Sequence, residues 1–532
     1  MDFEIWQETH EPTPERQEIA RRVLEDVRRG MDVVRALRRH PLPEGGYLPK
    51  SILVQTYQRL VEQGEWQADA HFLAAIRMKP VRTLSGVTTV TVLTKPYPCP
   101  GRCIFCPTDV RMPKSYLPDE PGAMRGLQND FDPYRQVASR LESLEATGHP
   151  TDKIELLILG GTFTAYRRDY QEWFIRRCFD ALNERESATL DEAHRLNETA
   201  PHRNVGLVIE TRPDEITPQE LAWLRRLGVT KVQMGVQSLD DRILALNQRG
   251  HTAAEALQAT ALLRAAGFKI VLHWMPNLLG ATLQSDREDF ARLWTHGYAP
   301  DEIKIYPCQL LQNADLYAYW ERGEYQPYTT EELIDLIADL KPTVPEYCRI
   351  NRIIRDIPST NVVAGNRRTS LRQDVLAEVA RRGQRCHCIR CREVRNERVD
   401  PVTLTLRDLT YTAAHAEEHF LQFVTPNDRI AGYLRLSLPL PEAPDVTGEL
   451  PDLKGAALIR EVHVYGQSLP VGFELPGAAQ HIGLGTQLLN RAAEIARARG
   501  FRRLAVIAAI GTRLYYESRN FERGDLYLIR EL

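Results

Sequence analysis

Six short apolar runs, separated by stretches of helical periodicity, occupy the middle of the chain: GVTTVTVLT (86–94), IELLILGG (154–161), VGLVIETR (205–212), VQMGVQS (232–238), KIVLHWMP (269–276) and EIKIYP (302–307). Strands that alternate with crossover helices all run one way, so the pattern predicts a parallel α/β sheet, either open or curled into an incomplete barrel. The helical stretches carry their own punctuation. Thr217 caps ITPQELAWLRRLG (216–228) and Gly228 stops it, and HTAAEALQATALLRAAG (251–267) ends on Gly267. Polar and glycine residues follow the strands: Gly160-Gly161-Thr162 after the second, Glu210-Thr211-Arg212 after the third, Gln237-Ser238 after the fourth. Ligands of α/β proteins bind at the carboxyl ends of strands, which puts these residues on one functional rim.

A loop with three thiols, PYPCPGRCIFCPTD (97–110), follows the first strand and therefore shares that rim. Cys99, Cys103 and Cys106 are spaced C-x3-C-x2-C; three close thiols suit metal ligation better than disulfide pairing. Nine cysteines in 532 residues are no disulfide scaffold and fit a reducing compartment. Three thiolates can hold an iron–sulfur cubane with one iron open, or a zinc ion with one open position; free structural thiols are the third reading. With Phe105 directly before the third cysteine, the loop resembles that of the radical S-adenosylmethionine superfamily. The resemblance implies a partial (β/α)6 barrel, a 4Fe-4S cluster on Cys99, Cys103 and Cys106, and S-adenosylmethionine on the open iron. It also implies Gly160, Gly161 and Thr162 at the methionyl amino group, with Glu210, Arg212 and Gln237 lining the cofactor. An electron donor for the cluster is implied as a partner.

The flanking regions differ in character. Residues 15–40 read as amphipathic helix, with Ile19, Val23, Val33, Val34 and Leu37 as core candidates. From Arg349 to Arg398 there are thirteen arginines, no lysine and five acids, a segment of charge +8 in a chain of net charge −3. The same segment holds CHCIRC, where the spacing of Cys386, Cys388 and Cys391 suits a structural zinc, with Cys308 as the candidate fourth ligand. A second iron–sulfur cluster and free thiols remain alternatives there.

After residue 400 a mixed α and β pattern begins. Gln480-His-Ile-Gly483-Leu484-Gly485-Thr486 opens an amphipathic helix, where glycines let backbone N–H groups close on a pyrophosphate. The loop resembles the coenzyme A loop of GNAT acetyltransferases, which predicts an α+β acetyltransferase domain. By that likeness the backbone of Glu461, Val462, His463 and Val464 receives the pantetheine arm of acetyl-CoA. Tyr515 or Tyr516, in GTRLYY, faces the thioester as a donor.

The order of the two domains, with the motifs GGTF, IETRPD, GVQS, NQRGHT, REVHVYG and GTRLYY, resembles the family of Elongator catalytic subunits over nearly the whole chain. That resemblance implies radical carboxymethylation of C5 of a tRNA wobble uridine with acetyl-CoA as co-substrate, Lys153 near acetyl-CoA, and Elongator-type partner subunits or self-association. A nucleic-acid substrate turns the basic segments into candidate RNA contacts: Arg77, Lys79, Arg82, Arg367, Arg368, Arg381, Arg382 and Arg385. The expected domains are 1–84 (basic, helical), 85–341 (radical), 342–400 (arginine-rich, cysteine-containing linker) and 401–532 (acetyltransferase). Rival readings are a lysine acetyltransferase acting on proteins and a tRNA-binding scaffold with an inactive cluster. The N-terminus has neither the basic start nor the apolar run of a signal peptide, and no stretch approaches a membrane span, so cytoplasm is the expected location.

Overall fold

The computed structural model describes residues 11–78, 83, 85–395, 397, 399–465 and 483–532. Its N-terminal part is a small helical bundle: α1 (Pro14–Arg28), α2 (Val33–Arg39), α3 (Lys50–Glu62) and α4 (Ala70–Ile76). The single helix expected over 15–40 is broken. Gly30 takes φ +95°, and the Asp32 side chain accepts from the backbone N–H groups of Val34 and Arg35, which starts a new helix. Val23, Val33 and Leu37 are buried as expected, whereas Val34 is 48% exposed because the break rotates α2.

Seven parallel strands follow, each hydrogen-bonded to the next in chain order: β1 (Thr88–Leu93), β2 (Lys153–Leu159), β3 (Arg203–Thr211), β4 (Lys231–Gln237), β5 (Lys269–Trp274), β6 (Glu302–Ile305) and β7 (Arg349–Ile353). The edges of β1 and β7 do not pair with each other, so the sheet is an incomplete barrel. Thr217 and Gly228 cap and stop the helix between β3 and β4, and Thr252 with Glu255 forms a capping box at the start of the next. The seventh strand, RINRI, lies in the segment read as a linker. Its arginines hid a short strand in which Ile350 and Ile353 are buried, three positions apart because the pairing with β6 shifts register between them. The segment continues as α5 (Leu371–Arg381), packed on the outside of the sheet through Leu371, Val375 and Val379.

The C-terminal sheet comprises β8 (Thr405–Ala413), β9 (Ala416–Val424), β10 (Ile430–Pro439) and β11 (Ala456–Val464) as an antiparallel meander, then β12 (Arg503–Val506), β13 (Glu522–Arg523) and β14 (Leu528–Glu531). Helix α6 (Leu484–Ala498) packs on β9 to β11. β11 pairs with β12 in parallel, but only from Ala456 to Ile459. Arg460 is an extra residue in the pairing with β10, a bulge, and beyond it Glu461–Val464 pair with β10 alone. The sheet is therefore split on the β12 side at the residues expected to receive an acyl-pantetheine arm.

The two sheets meet end to face, at the amino ends of the barrel strands. Gly511 lies against Arg203 and Asn204 at the start of β3, Gly267 against Leu458, and Arg460 forms ion pairs with Asp301 just before β6. No described helix is long and apolar enough to cross a membrane.

Candidate active site

Alternate residues of the barrel strands point inward. Along β4 these are Lys231, Gln233, Gly235 and Gln237, and they line one cavity of about 860 Å³. At its upper mouth, past the carboxyl ends of the strands, lie Cys99, Cys103 and Cys106. At its lower mouth lie Glu461, Val462, His463 and Tyr516 of the C-terminal sheet. The six steps from Lys231 to Gln237 put the two mouths about 20 Å apart. Both sets of residues face a single space.

The upper mouth is built for an anionic metal group. Arg249 Nη1 donates to Cys103 Sγ at 3.4 Å, and the Cys99 sulfur lies 3.6 Å from the Thr162 hydroxyl. A hydrogen bond from Cys106, aided by the charges of Arg249 and Arg212, pulls the Cys103 thiol down to about 5. Cys106, the other member of that pair, is pushed up. The three sulfurs do not gather within 4.8 Å of one another as ligands of one ion would, a spread that suits a polynuclear cluster. Two buried polar atoms beside them have no partner among the described residues, Arg212 Nη1 and Gln237 Oε1. Arg212 is otherwise held by Asp214 and the Arg249 carbonyl, and Gln237 is fixed at φ +73°. Gly160 is required here, because a Cβ would fall 1.8 Å from Thr94 Oγ1. Gly161 and Thr162 complete this wall, and Glu210 accepts from the Tyr116 hydroxyl at 2.7 Å. Orphaned donors and acceptors around a cysteine loop fit a bound amino-acid-bearing cofactor.

At the lower mouth the Glu461 side chain is pinned. Tyr433 donates to it at 2.7 Å and Arg435 at 2.9 Å, with Lys269 of β5 against the same carboxylate. Burial would raise its carboxyl, but Lys269 and Arg435 outweigh that and hold it down to about 2. With the side chain tied back, the backbone of 461–464, which β12 does not cover, faces the gap. Helix α7 (Arg513–Glu517) carries both tyrosines, at right angles to each other. Only Tyr516 lines the cavity. Tyr515 points to the start of α6, where a Cβ on Gly485 would meet its hydroxyl at 2.3 Å, and Arg519 stacks on its ring at 3.7 Å while donating to Thr486 Oγ1. Of the two tyrosines expected near the thioester, Tyr516 lines the cavity and Tyr515 lies at the start of α6. Gly483 adopts φ +72° before Leu484; Gln480 lies outside the described residues. Lys153 opens β2 beside Arg203, on the barrel end that meets the C-terminal sheet.

Cys386, Cys388 and Cys391 have their sulfurs within 4.8 Å of one another, a mononuclear arrangement. Cys308 does not join them. It ends its strand against Cys103, Phe105 and Tyr325, facing the upper mouth. Lys341 takes the neighbouring place instead, its Nζ 3.2 Å from Cys391 Sγ. The basic segment is also less free than its charge suggests. Arg381 and Arg382 are bound to Glu378, and Arg382 also to Asp335 and Asp339; Arg368 lies near Glu331 and Asp374, and Arg385 near Asp428. Arg367 donates to the Val363 carbonyl and Arg77 to the Thr83 hydroxyl, while Lys79 and Arg82 lie outside the described residues.

Sequence reasoning missed the interior of the barrel: Glu155, Lys231, Gln233, Lys269, His273, Glu302 and Lys304. The signal was present in KVQMGVQ, KIVLHW and EIKI, where the polar residues stand two or four positions apart, on one face of strands otherwise buried. A parallel strand covered on both faces needs no such alternation.

Comparison with known proteins agrees with this geometry. Residues 97–293 match the Radical SAM superfamily and residues 300–381 the Radical_SAM C-terminal domain. The chain is 42% identical to the tRNA uridine(34) acetyltransferase of Methanocaldococcus infernus over 473 residues, covering 86% of this chain and 88% of that one. It is 35% identical to Elongator complex protein 3 of Danio rerio, covering 86% of each. The solved structure of the archaeal Methanocaldococcus infernus Elp3 with an N-terminal deletion superposes with a TM-score of 0.73 at 38% identity, covering 85% of this chain and all of that one. A half-barrel with a cysteine rim, joined through one cavity to a split acyl-binding sheet, thus belongs to the family of tRNA uridine(34) acetyltransferases and Elongator complex protein 3.

Proposed function

We propose that this chain attaches a carboxymethyl group to C5 of the wobble uridine of tRNA, taking the two-carbon unit from acetyl-CoA by radical chemistry. The observation that carries the reading is the continuity of one cavity between the cysteine mouth and the split strand β11. Two separate activities would need no shared interior; a carbon passed from a thioester to a base does. The names of the relatives point the same way.

Bound at the upper mouth, a 4Fe-4S cluster with S-adenosylmethionine supplies a carbon radical able to abstract hydrogen from a methyl group. The chain's own residues do the rest. Cys99, Cys103 and Cys106 hold the cluster, and the cations of Arg249 and Arg212 favour the thiolate form. Gln237 and Arg212 supply unpartnered polar atoms for the amino-acid part of the cofactor. The segment Glu461–Val464, on the side that β12 does not cover, takes the acyl-pantetheine arm, and the glycines at the start of α6 take the pyrophosphate. Burial keeps the Tyr516 hydroxyl protonated, so it donates to the thioester oxygen or to the departing sulfur during hydrolysis. A stacked base cannot enter such an interior, so the uridine is flipped out of the anticodon. Cys386, Cys388 and Cys391 hold a structural zinc away from the chemistry.

Anaerobic incubation with tRNA, S-adenosylmethionine and acetyl-CoA, followed by nucleoside mass analysis, tests the reading. Carboxymethyluridine and deoxyadenosine are expected in wild type and absent in C103S. Acetylation of protein lysines that survives in C103S would replace it with the protein acetyltransferase reading.

A further inference from the structure

Between the two mouths, four consecutive strands each turn one polar side chain inward: Glu210 from β3, Gln233 from β4, His273 from β5 and Lys304 from β6. Glu210 is in register with Gln233, and His273 with Lys304; Gln233 itself is in register with Val271, and the His273 ring and Lys304 Nζ reach its amide, so the four join into one polar layer through side-chain contacts. Their contacts decide where the imidazole proton sits. The Lys304 ammonium meets Gln233 Oε1. An ammonium has only protons to offer, so the atom it meets is the amide oxygen and not the nitrogen. That same oxygen lies 3.0 Å from His273 Nε2, so Nε2 carries the ring proton and Nδ1 holds the lone pair. Nδ1 has no hydrogen-bond partner among the described residues and is not among the buried atoms lacking one, and His273 lines the cavity.

The ring is neutral. Burial, then the charges of Lys304, Arg355, Arg249 and Arg352, hold it well below the ordinary histidine range. The layer therefore contains an oriented proton acceptor that faces the cavity joining the cysteine mouth to the acyl strand. The one carboxylate in the layer is already engaged: Glu210 accepts from Tyr116 at 2.7 Å and lies 3.7 Å from Lys304 Nζ.

We infer that Nδ1 of His273 receives the proton that C5 of the uracil ring loses when the new carbon–carbon bond is made permanent. The inference rests on the uridine chemistry proposed above. Attachment of the two-carbon unit leaves C5 bearing both that unit and its original hydrogen, with one unpaired electron on C6. That electron passes to a one-electron acceptor of the iron–sulfur class. The C5–H bond then breaks heterolytically; its electron pair re-forms the C5–C6 double bond, and its proton goes to Nδ1. An imidazole poised at so low a basicity suffices, because the oxidised ring is a strong carbon acid. Glu210, whose Oε1 lies 4.0 Å from Nε2, stands next in line for the proton on the far side of the ring.

Two measurements test this. In unloaded wild-type protein, nitrogen-15 NMR of the imidazole should find His273 protonated at Nε2 and bare at Nδ1, with the tautomers mixed in K304M; the opposite tautomer in wild type overturns the inference. In the second, tRNA tritiated at uridine C5 is supplied to loaded wild type and H273Q. The variant should still form deoxyadenosine in a first turnover and should release tritium about 100-fold more slowly. Tritium release at the wild-type rate overturns the inference. Wild-type enzyme that forms no deoxyadenosine overturns the uridine chemistry and this step with it, a result distinct from a defect confined to the variant.

Discussion

Tyr515 and Tyr516 are neighbours in sequence with opposite surroundings. One helical step turns the first toward Gly485 and Arg519 at the start of α6 and the second into the cavity, under Phe521. Removing each hydroxyl should therefore have different kinetic consequences. In Y516F, turnover is expected to fall by about 10²-fold, as for loss of one donor to a reacting oxygen, with acetyl-CoA affinity unchanged. In Y515F, acetyl-CoA affinity should weaken and turnover at saturation should persist; steady-state KM and kcat separate the two. Gly160 is the sharpest steric test at this scale. G160A forces a Cβ onto Thr94 Oγ1 and onto a backbone angle of +143°, and should cost about 1–3 kcal/mol by thermal unfolding. The sequence motif predicted an aromatic pair near the thioester and a glycine rim, but the direction of a side chain within one turn of helix follows from packing that no local pattern encodes.

Among the elements, the hairpin of β8 and β9 carries a pH dependence. His419 is opposite Thr410, and its ring lies 2.9 Å from Asp408 on one side and 2.9 Å from Glu417 on the other. Burial works against its charge, yet the two carboxylates raise it above the ordinary value. An imidazolium paired in the fold and free in the unfolded chain holds its proton more tightly when folded. The gain is complete below the unfolded pKa of about 6.5 and is lost as pH rises through the raised folded value. H419Q should flatten the decline in melting temperature above neutrality and match wild type least at acid pH. The elements also show where sequence patterns stop being readable. The six apolar runs announced six strands, because a two-sided burial leaves continuous hydrophobic stretches. RINRI did not announce itself, since two of its positions are arginines whose partners lie outside the strand: Arg349 pairs with Glu393, 44 residues on, and Arg352 with Asp356 in the loop that follows. For the same reason the charge of +8 could not be read as a free basic face; Asp335, Asp339 and Asp428, which neutralise part of it, are contributed by other segments. Cys308 failed as a zinc ligand because strand order, not sequence spacing, decides which rim a residue ends on. Metal content gives the check. C386S/C388S/C391S should lose its zinc and keep its iron, and C99S/C103S/C106S should do the reverse, both measured by elemental analysis after anaerobic reconstitution.

For the whole molecule, transfer of a two-carbon unit between sites about 20 Å apart requires that barrel and acyl sheet hold a fixed relation. The contact between them is ionic and dry. Arg460, the bulged residue of β11, pairs with Asp301 and Glu418, each at 2.6–2.7 Å and all fully buried, and donates to the Phe268 carbonyl of the barrel. Arg435 binds Asp301 from the side and reaches the Tyr347 carbonyl. Such a cluster costs much to desolvate, so its net contribution to stability is small, but deleting one partner strands the others. R460M should therefore lose about 3–5 kcal/mol, and R460M/D301N/E418Q should not recover that loss, because Arg435 and Arg264 would stay buried and charged without Asp301 and Glu418. The functional consequence is separable from stability. The bulge that Arg460 anchors is what splits β11 from β12, so R460M, assayed well below its melting temperature, should bind S-adenosylmethionine normally and cleave it while transferring less label from deuterated acetyl-CoA into deoxyadenosine. Undiminished label transfer would mean that the two mouths stay aligned without this cluster, and that hydrophobic contacts such as Gly267 against Leu458 and Gly228 against Ile510 suffice to hold them.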